Sequence, residues 1–304
     1  MRIGVDVGGT KVEAIALDDA GRALARRRVP SRSHDYDALV ETVRSLVVGL
    51  EADLGRRGVV GVGTPGAVSL ATGLMKNANS TALNGRPFPR DLAAALGREV
   101  RVENDANCFA LSEATDGSGA GHRLVFGVIL GTGVGGGIVC DSRVLIGANA
   151  IAGEWGHNEM SSRAGPGLPE TRCYCGRRRC IETYLSGPGL AADHARHGAT
   201  CGSDASAIAA LAVAGNAAAR ATMARFYGRL ACALGGVINV LDPDVIVLGG
   251  GLSNIDALYD EMAQRLPGQV FSDQCTTPVV RNLHGDSSGV RGAAWLWRAP
   301  TLRP

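Results

Sequence analysis

The feature that most constrains this chain is a pattern that occurs twice. RIGVDVGGTKVEAIALD, from Arg2, and RLVFGVILGTGVGGGIVCD, from Arg123, each read as a buried strand, a glycine-rich turn and a second strand returning beside the first. After the first copy, Leu39, Val43, Leu46, Val47 and Leu50 recur at helical spacing between Asp35 and Leu54. GVVGVGTPGA then reads as a strand entering a turn, KNANSTALNGRPFP as a polar loop, and REVRVEN as a strand giving way to a helix at Asp105. After the second copy, helices dominate from Gly187 to Leu241 and DVIVLGGG supplies another apolar strand. The repetition predicts an α/β protein of two similar domains around a cleft, over residues 1–117 and 118–286. The closing SSGVRGAAWLW reads as an amphipathic helix, so residues 287–304 are expected to complete the first domain.

Composition agrees with this and excludes several functions. The chain has 304 residues, 45% of them hydrophobic but only 4% aromatic, with 43 glycines. An aliphatic core with many glycine turns suits α/β layers better than a sandwich. Its 31 basic and 29 acidic residues are well mixed, with no basic–aromatic stripe, so neither nucleic acid nor an anionic membrane is the expected partner. Asp6 and Lys11 interrupt any leader-like apolar run, and no window approaches about 18 uninterrupted apolar residues. A cytoplasmic location is expected.

The glycine turns are candidates for holding phosphates. In DVGGTK, Gly8 and Gly9 permit a positive φ and close approach of an anion to backbone amides. Thr10 and Lys11 can add donors, and Asp6 could hold Mg²⁺. Gly131, Thr132 and Gly133 form the matching turn of the second copy, while Gly250 and Gly251 would let the chain pass flat against a nucleoside. Neither turn fits the GxxxxGK[ST] pattern or opens a dinucleotide-type βαβ unit, which favours a nucleoside triphosphate. In VENDAN, Asp105 is either a helix cap or a general base for phosphoryl transfer.

CYCGRRRC crowds Cys173, Cys175 and Cys180 into eight residues, with His157 of GEWGH upstream. Three thiolates and one imidazole make a closed tetrahedral zinc set, which organises a loop rather than performing chemistry. Such a node would hold Glu154 and Glu182 as a grip for a polyol. Cys108, Cys140, Cys201, Cys232 and Cys275 are isolated among apolar neighbours and read as core.

Taken in order, DVGGTK, ENDAN, GTGVGGG, GEWGH, CYCGRRRCIE and DPDVIVLGGG resemble the ROK family of bacterial sugar kinases and repressors over essentially the whole chain. The resemblance implies the actin/hexokinase-like ATPase fold, built from ribonuclease H-like repeats, Mg-ATP as phosphoryl donor, a hexose as acceptor, and a homodimer. It implies Asp105 as the base on the sugar hydroxyl, and Asn79, Asn104, Glu154, His157 and Glu182 as sugar contacts. It places Asp6, Gly8, Gly9, Thr10, Lys11, Gly131, Thr132 and Gly133 around the phosphates and Gly250 and Gly251 near the adenosine. KNANSTALNG and HGDSSGVRGAAWLW look most like fructokinases, so fructose is the expected substrate, with N-acetylglucosamine or glucose the alternatives and a non-catalytic regulator a remote one. With the first strand expected from Arg2, no helix-turn-helix is expected ahead of it. Arg179 departs from the family, which usually has Gly before the last Cys.

Overall fold

The computed structural model of the chain describes residues 1–78, 80–165, 167–198 and 204–297. Asn79, expected at the sugar, and Cys201 lie outside the described residues. Contacts divide the chain into two compact units, one of residues 1–121, 137–152 and 283 onward, the other of 122–136 and 153–282. Residues 137–152 thus group with the first unit, whereas the sequence had suggested breaks only after residues 117 and 286.

In unit 1, β1 (Arg2–Val7), β2 (Lys11–Leu17) and β3 (Ala23–Pro30) run antiparallel in succession, and β4 (Val59–Thr64) lies parallel to β1 on its other side. Between β4 and the edge strand comes a short antiparallel pair that the sequence did not announce, β5 (Ala67–Val68) and β6 (Met75–Lys76). β7 (Val100–Asn104) completes the main sheet parallel to β4, giving the order β3-β2-β1-β4-β7. Because side chains alternate along a strand, Ile3, Val5 and Val7 share one face with Val60 and Val62. That face is covered by α1 (Tyr36–Leu54), whose Leu39, Val43, Leu46, Val47 and Leu50 are all buried, and by α2 (Phe88–Leu96). Asp35 caps α1 by accepting from the Ala38 amide, and Gly55 ends it at φ +63°.

On the other face β1 and β4 carry glycine at their centres, and α3 (Asp105–Asp116) packs beside β4 and β7 there. The opposite residues of β1 are Gly4 and Asp6, and register pairs Gly4 with Gly61 of β4.

In unit 2 the plan recurs. β8 (Leu124–Leu130) stands between β9 (Val134–Cys140) and a later strand; β9 leaves the unit after Gly136, and its end pairs in unit 1 with β10 (Arg143–Val144). After α4 (Glu182–Leu185), α5 (Gly187–Arg196), α6 (Ala205–Val213) and α7 (Ala217–Leu241), β11 (Val245–Gly249) returns parallel to β8. α8 (Ala257–Arg265) precedes β12 (Val279–Arg281), parallel to β11. The order β9-β8-β11-β12 repeats β2-β1-β4-β7. Met223, Phe226, Leu230 and Leu234 form the buried stripe of α7. Asp193 of α5 is buried against α7, accepting from Arg225 and Arg229 at 2.8 Å each. Burial alone would raise its carboxyl, but the hydrogen bonds and charges of the two guanidiniums win and hold it below its ordinary value. Among the described residues no single helix is long and apolar enough to cross a membrane.

The last described helix, α9 (Ser288–Trp295), belongs to unit 1. A Cβ at Gly4 would overlap the Val290 carbonyl, one at Gly61 the Ala293 carbonyl, and one at Gly292 the Cys108 carbonyl of α3. The last helix therefore lies backbone-to-backbone against sheet and helix at once, which only glycine at these three positions allows.

Candidate active site

At the end of β1 the chain turns through Gly8, Gly9 and Thr10, with the Gly8 amide donating to the Lys11 carbonyl at 2.9 Å. Neither glycine takes a positive φ, contrary to expectation. What Gly9 supplies instead is room, since a Cβ there would meet nothing within 4 Å. The turn's carbonyls are tied back by the Ser31 amide to Thr10 and the Ser33 hydroxyl to Gly9, at 2.9 and 3.0 Å.

Register places Asp6 beside Glu13 and Glu13 beside Arg28, a row of charges across three strands. Glu13 is 1% exposed and is ringed by Arg26, Arg28 at 2.5 Å and Lys11 at 3.9 Å. Asp6 is pushed from the ordinary 3.8 up to about 7, chiefly by burial and then by the negative charges of Asp105 and Glu13, with Lys11 and Arg28 opposing. A carboxylate held at this cost, at the mouth of a glycine turn, suits a divalent cation that would favour its ionised form.

Asp105 is the first residue of α3, and the capping role falls chiefly to its neighbour. Asn104 Oδ1 accepts from the Ala106 amide at 2.9 Å while its Nδ2 donates to the Gly66 carbonyl at 3.0 Å. Asn104, expected at the sugar, thus has both ends of its carboxamide engaged in fixing the β7–α3 junction against the turn after β4. Glu103 braces the same junction by accepting from the Asn104 amide and Asn107 Nδ2. Asn84 grips both backbone groups of Ala78 at 2.8 Å, steadying the loop that leads to residue 79.

Unit 2 carries the second turn. The Gly131 amide donates to Gly133, and the Gly187 amide to Gly131. Glu182, at the start of α4, accepts from the Val134 amide at 3.0 Å, and its other oxygen lies 3.9 Å from Cys173 Sγ. It therefore braces the Gly131–Gly133 turn against the cysteine loop. Beside this turn opens a cavity of about 1360 Å³ within the unit, reaching from Gly131 and Thr132 to Gly251, Leu252 and Asn254. Alanines 205, 209, 210 and 212 form one wall and Met223 and Tyr227 of α7 another. Gly251 lines the cavity. Gly250 does not, but its φ of +79° and close seat on Leu130 make the bend that brings Gly251 there. The alanine-rich α6 wall was not singled out in the sequence, where small apolar residues read as packing; a run of alanines with no bulky partner was the available signal.

His157, Cys173, Cys175 and Cys180 converge, their ligand atoms all within 4.8 Å of one another. Cys173 Sγ is 3.6 Å from His157 Nδ1, and Cys175 Sγ is 3.6 Å from Cys180 Sγ. Zinc–sulfur bonds of about 2.3 Å at tetrahedral angles separate sulfurs by roughly 3.8 Å, so the set could hold Zn²⁺ with little movement. The loop is shaped by the Cys173 amide donating to Arg177 and by the bridges Arg172–Arg178 and Glu159–Cys180. Arg179 sits at φ +58°, a conformation that costs an L residue roughly 1 kcal/mol, and its guanidinium lies 3.4 Å from Glu159. Glu154 is exposed beside this loop. Of the cysteines expected in the core, Cys108 and Cys232 are buried, whereas Cys140 and Cys275 are only half-buried because they end β9 and precede β12.

The ROK family profile matches residues 2–300. The chain is 42% identical over 303 residues to an N-acetyl-D-glucosamine kinase of Shigella boydii serotype 4 (strain Sb227), covering 97% of this chain and 99% of that protein. Among solved structures it is similar to a ROK hexokinase from Thermus thermophilus, with a TM-score of 0.84, 30% identity, and 97% and 96% of the two chains covered. It is also similar to a ROK glucokinase from Streptomyces griseus in complex with glucose and AMPPNP, with a TM-score of 0.77, 26% identity, and 97% and 98% covered.

Proposed function

The chain belongs to the ROK family, with the actin/hexokinase-like ATPase fold of that family's sugar kinases, and on that premise we propose that it phosphorylates N-acetyl-D-glucosamine on its 6-hydroxyl with Mg-ATP as donor. The observation that carries the choice of sugar is the 42% identity to N-acetylglucosamine kinase over nearly the full length of both chains. The fructose expectation rested on the 76–88 loop and the closing segment, and the relatives reported above do not favour it.

Unit 1 brings Asp105, aimed by the Asn104 cap, to orient the sugar hydroxyl and accept its proton as the bond to phosphorus forms. A helix N-terminus favours the charged form of a carboxylate, which suits a loose transition state in which orientation matters more than proton abstraction. Asp6 would hold the Mg²⁺ that accompanies ATP and neutralises charge on the transferred phosphoryl group. Thr10 and Lys11 would add donors to the phosphates. Unit 2 brings the nucleoside cavity ending at Gly131–Gly133, and Glu154, His157 and Glu182 for the sugar hydroxyls. Zn²⁺ held by His157, Cys173, Cys175 and Cys180 would keep that loop in shape without an open coordination position.

Replacing Asp105 with Asn keeps the shape and removes the base. The variant should bind ATP and N-acetylglucosamine within about threefold of the parent while kcat falls by roughly 10²–10⁴-fold. Full turnover by Asp105→Asn, measured as sugar phosphate formed, would remove Asp105 from the chemistry.

A further inference from the structure

The three thiols of the cysteine loop are not equivalent. Cys173 and Cys180 are 5% and 1% exposed, whereas Cys175 is open to solvent. The loop's hydrogen bonds explain the difference. The Gly176 amide donates to the Cys173 carbonyl at 3.0 Å, the Cys173 amide donates to Arg177 at 2.9 Å, and Arg172 bridges Arg178. The chain thus doubles back after Cys173, with Gly176 at φ +86°, and carries Cys175 at the tip of the turn. Cys180 lies where the returning chain bridges Glu159, its Sγ 3.6 Å from the His157 carbonyl. Position also pairs two of the three. Cys175 Sγ stands 3.6 Å from Cys180 Sγ, while Cys173 Sγ faces His157 Nδ1 at 3.6 Å and Glu182 at 3.9 Å. A disulfide is about 2.05 Å long, so bridging Cys175 to Cys180 takes roughly 1.5 Å of sulfur movement at an exposed turn.

We propose that Cys175 and Cys180 are a peroxide-sensitive pair whose oxidation to a disulfide turns off metal binding by the loop. Hydrogen peroxide, or another hydroperoxide, oxidises the exposed Cys175 sulfur to a sulfenic acid as its O–O bond breaks and one oxygen leaves as water or alcohol. The Cys180 sulfur then attacks the sulfenic sulfur, the S–S bond forms and the hydroxyl departs as water. The two thiols lose two electrons, and these reduce the peroxide. Where the sulfurs start as metal-bound thiolates, solvent supplies the two protons. The bridge withdraws two ligands of the four and leaves His157 and Cys173, too few for a closed tetrahedral site. Cys173 is not consumed, and a dithiol reductant reverses the step. The effect on turnover rests on the hexose-kinase reading above, because the same loop carries His157 and Glu182; the bridge itself does not.

The test uses the full chain, purified without chelator and loaded with zinc. It is treated with graded hydrogen peroxide, its remaining thiols are blocked with N-ethylmaleimide, and it is digested with trypsin without reductant. Cleavage after Arg172, Arg177, Arg179 and Arg196 separates Cys173–Arg177 from Cys180–Arg196, so only a bridge holds these two peptides together. The expected product is the linked pair with the maleimide on Cys173, located by tandem mass spectrometry. Zinc should pass to a chromogenic chelator in step with it, about one per bridge. Dithiothreitol and zinc should then restore the thiols and, with a sugar that the parent phosphorylates, the turnover lost on bridging. A maleimide on Cys175 in the linked pair would overturn the assignment, because Cys173 would then be the bridged thiol. Unlinked peptides at peroxide levels that oxidise the half-buried Cys140 or Cys275 would overturn the proposal, as would zinc retained by the bridged chain. Undiminished turnover in the bridged chain would overturn its effect on catalysis. A parent inactive on every sugar defeats the kinase reading instead, and the peptide and zinc results still decide the pair.

Discussion

Asp6 shows how much of a residue's behaviour is set by neighbours that are distant in sequence. Its acidity depends on Glu13 across the hairpin, on Arg28 one strand further and on Asp105 a hundred residues away, and none of these pairings can be read before the register is known. The sign of its effect on stability follows directly. A carboxyl near 3.8 when unfolded and about 7 when folded binds more protons in the native state. Its contribution is therefore complete below about pH 4 and is lost as the pH rises through 7. Without divalent cations, Asp6→Asn should gain stability over the parent as the pH is raised from 5 to 8, by about 1–3 kcal/mol at the upper end. Urea midpoints at each pH check this, and parallel profiles would contradict it. Asp105 was legible from VENDAN as a carboxylate at a strand-to-helix junction. The division of labour with Asn104 was not, because which of two adjacent residues caps a helix depends on backbone angles that spacing does not determine.

At the scale of elements, the long periodic pieces were legible and the short ones were not. The strands Arg2–Val7 and Leu124–Leu130, the helix Tyr36–Leu54 and the closing helix follow from alternation or helical spacing over six or more residues. The pair β5 and β6, the three-residue β12 and the one-turn α4 are too short to show any period; tertiary contacts make them. Nor did the pattern reveal why β1 and β4 carry glycine where an alternating strand has a side chain to place. The reason is α9, whose backbone occupies that space against Gly4 and Gly61. Gly61→Ala should therefore destabilise the chain by about 3 kcal/mol, because a backbone carbonyl cannot step aside as a flexible side chain can. A lower denaturation midpoint at unchanged m-value is the expected result, and an unchanged midpoint would contradict it.

For the whole molecule, the doubled strand–turn–strand pattern was enough to imply two related α/β halves, and the strand orders β2-β1-β4-β7 and β9-β8-β11-β12 repeat each other. The cysteine and histidine cluster was equally legible, because metal ligation restricts residue type and spacing more tightly than packing does. The cavity beside Gly131 was not, since its α6 wall is made of alanines, which in a sequence read as packing. The identity of the sugar was hardest to read, because one substituent on a ring is recognised by a few contacts assembled from separate loops. That choice is also the central claim, and one measurement addresses it most directly: initial rates of ADP release by the unmodified chain with Mg-ATP and N-acetylglucosamine, glucose, mannose or fructose. N-acetylglucosamine should give the highest kcat/KM, by at least about tenfold over fructose. A higher value with fructose, or no sugar-dependent ADP release with any of the four, would contradict the account.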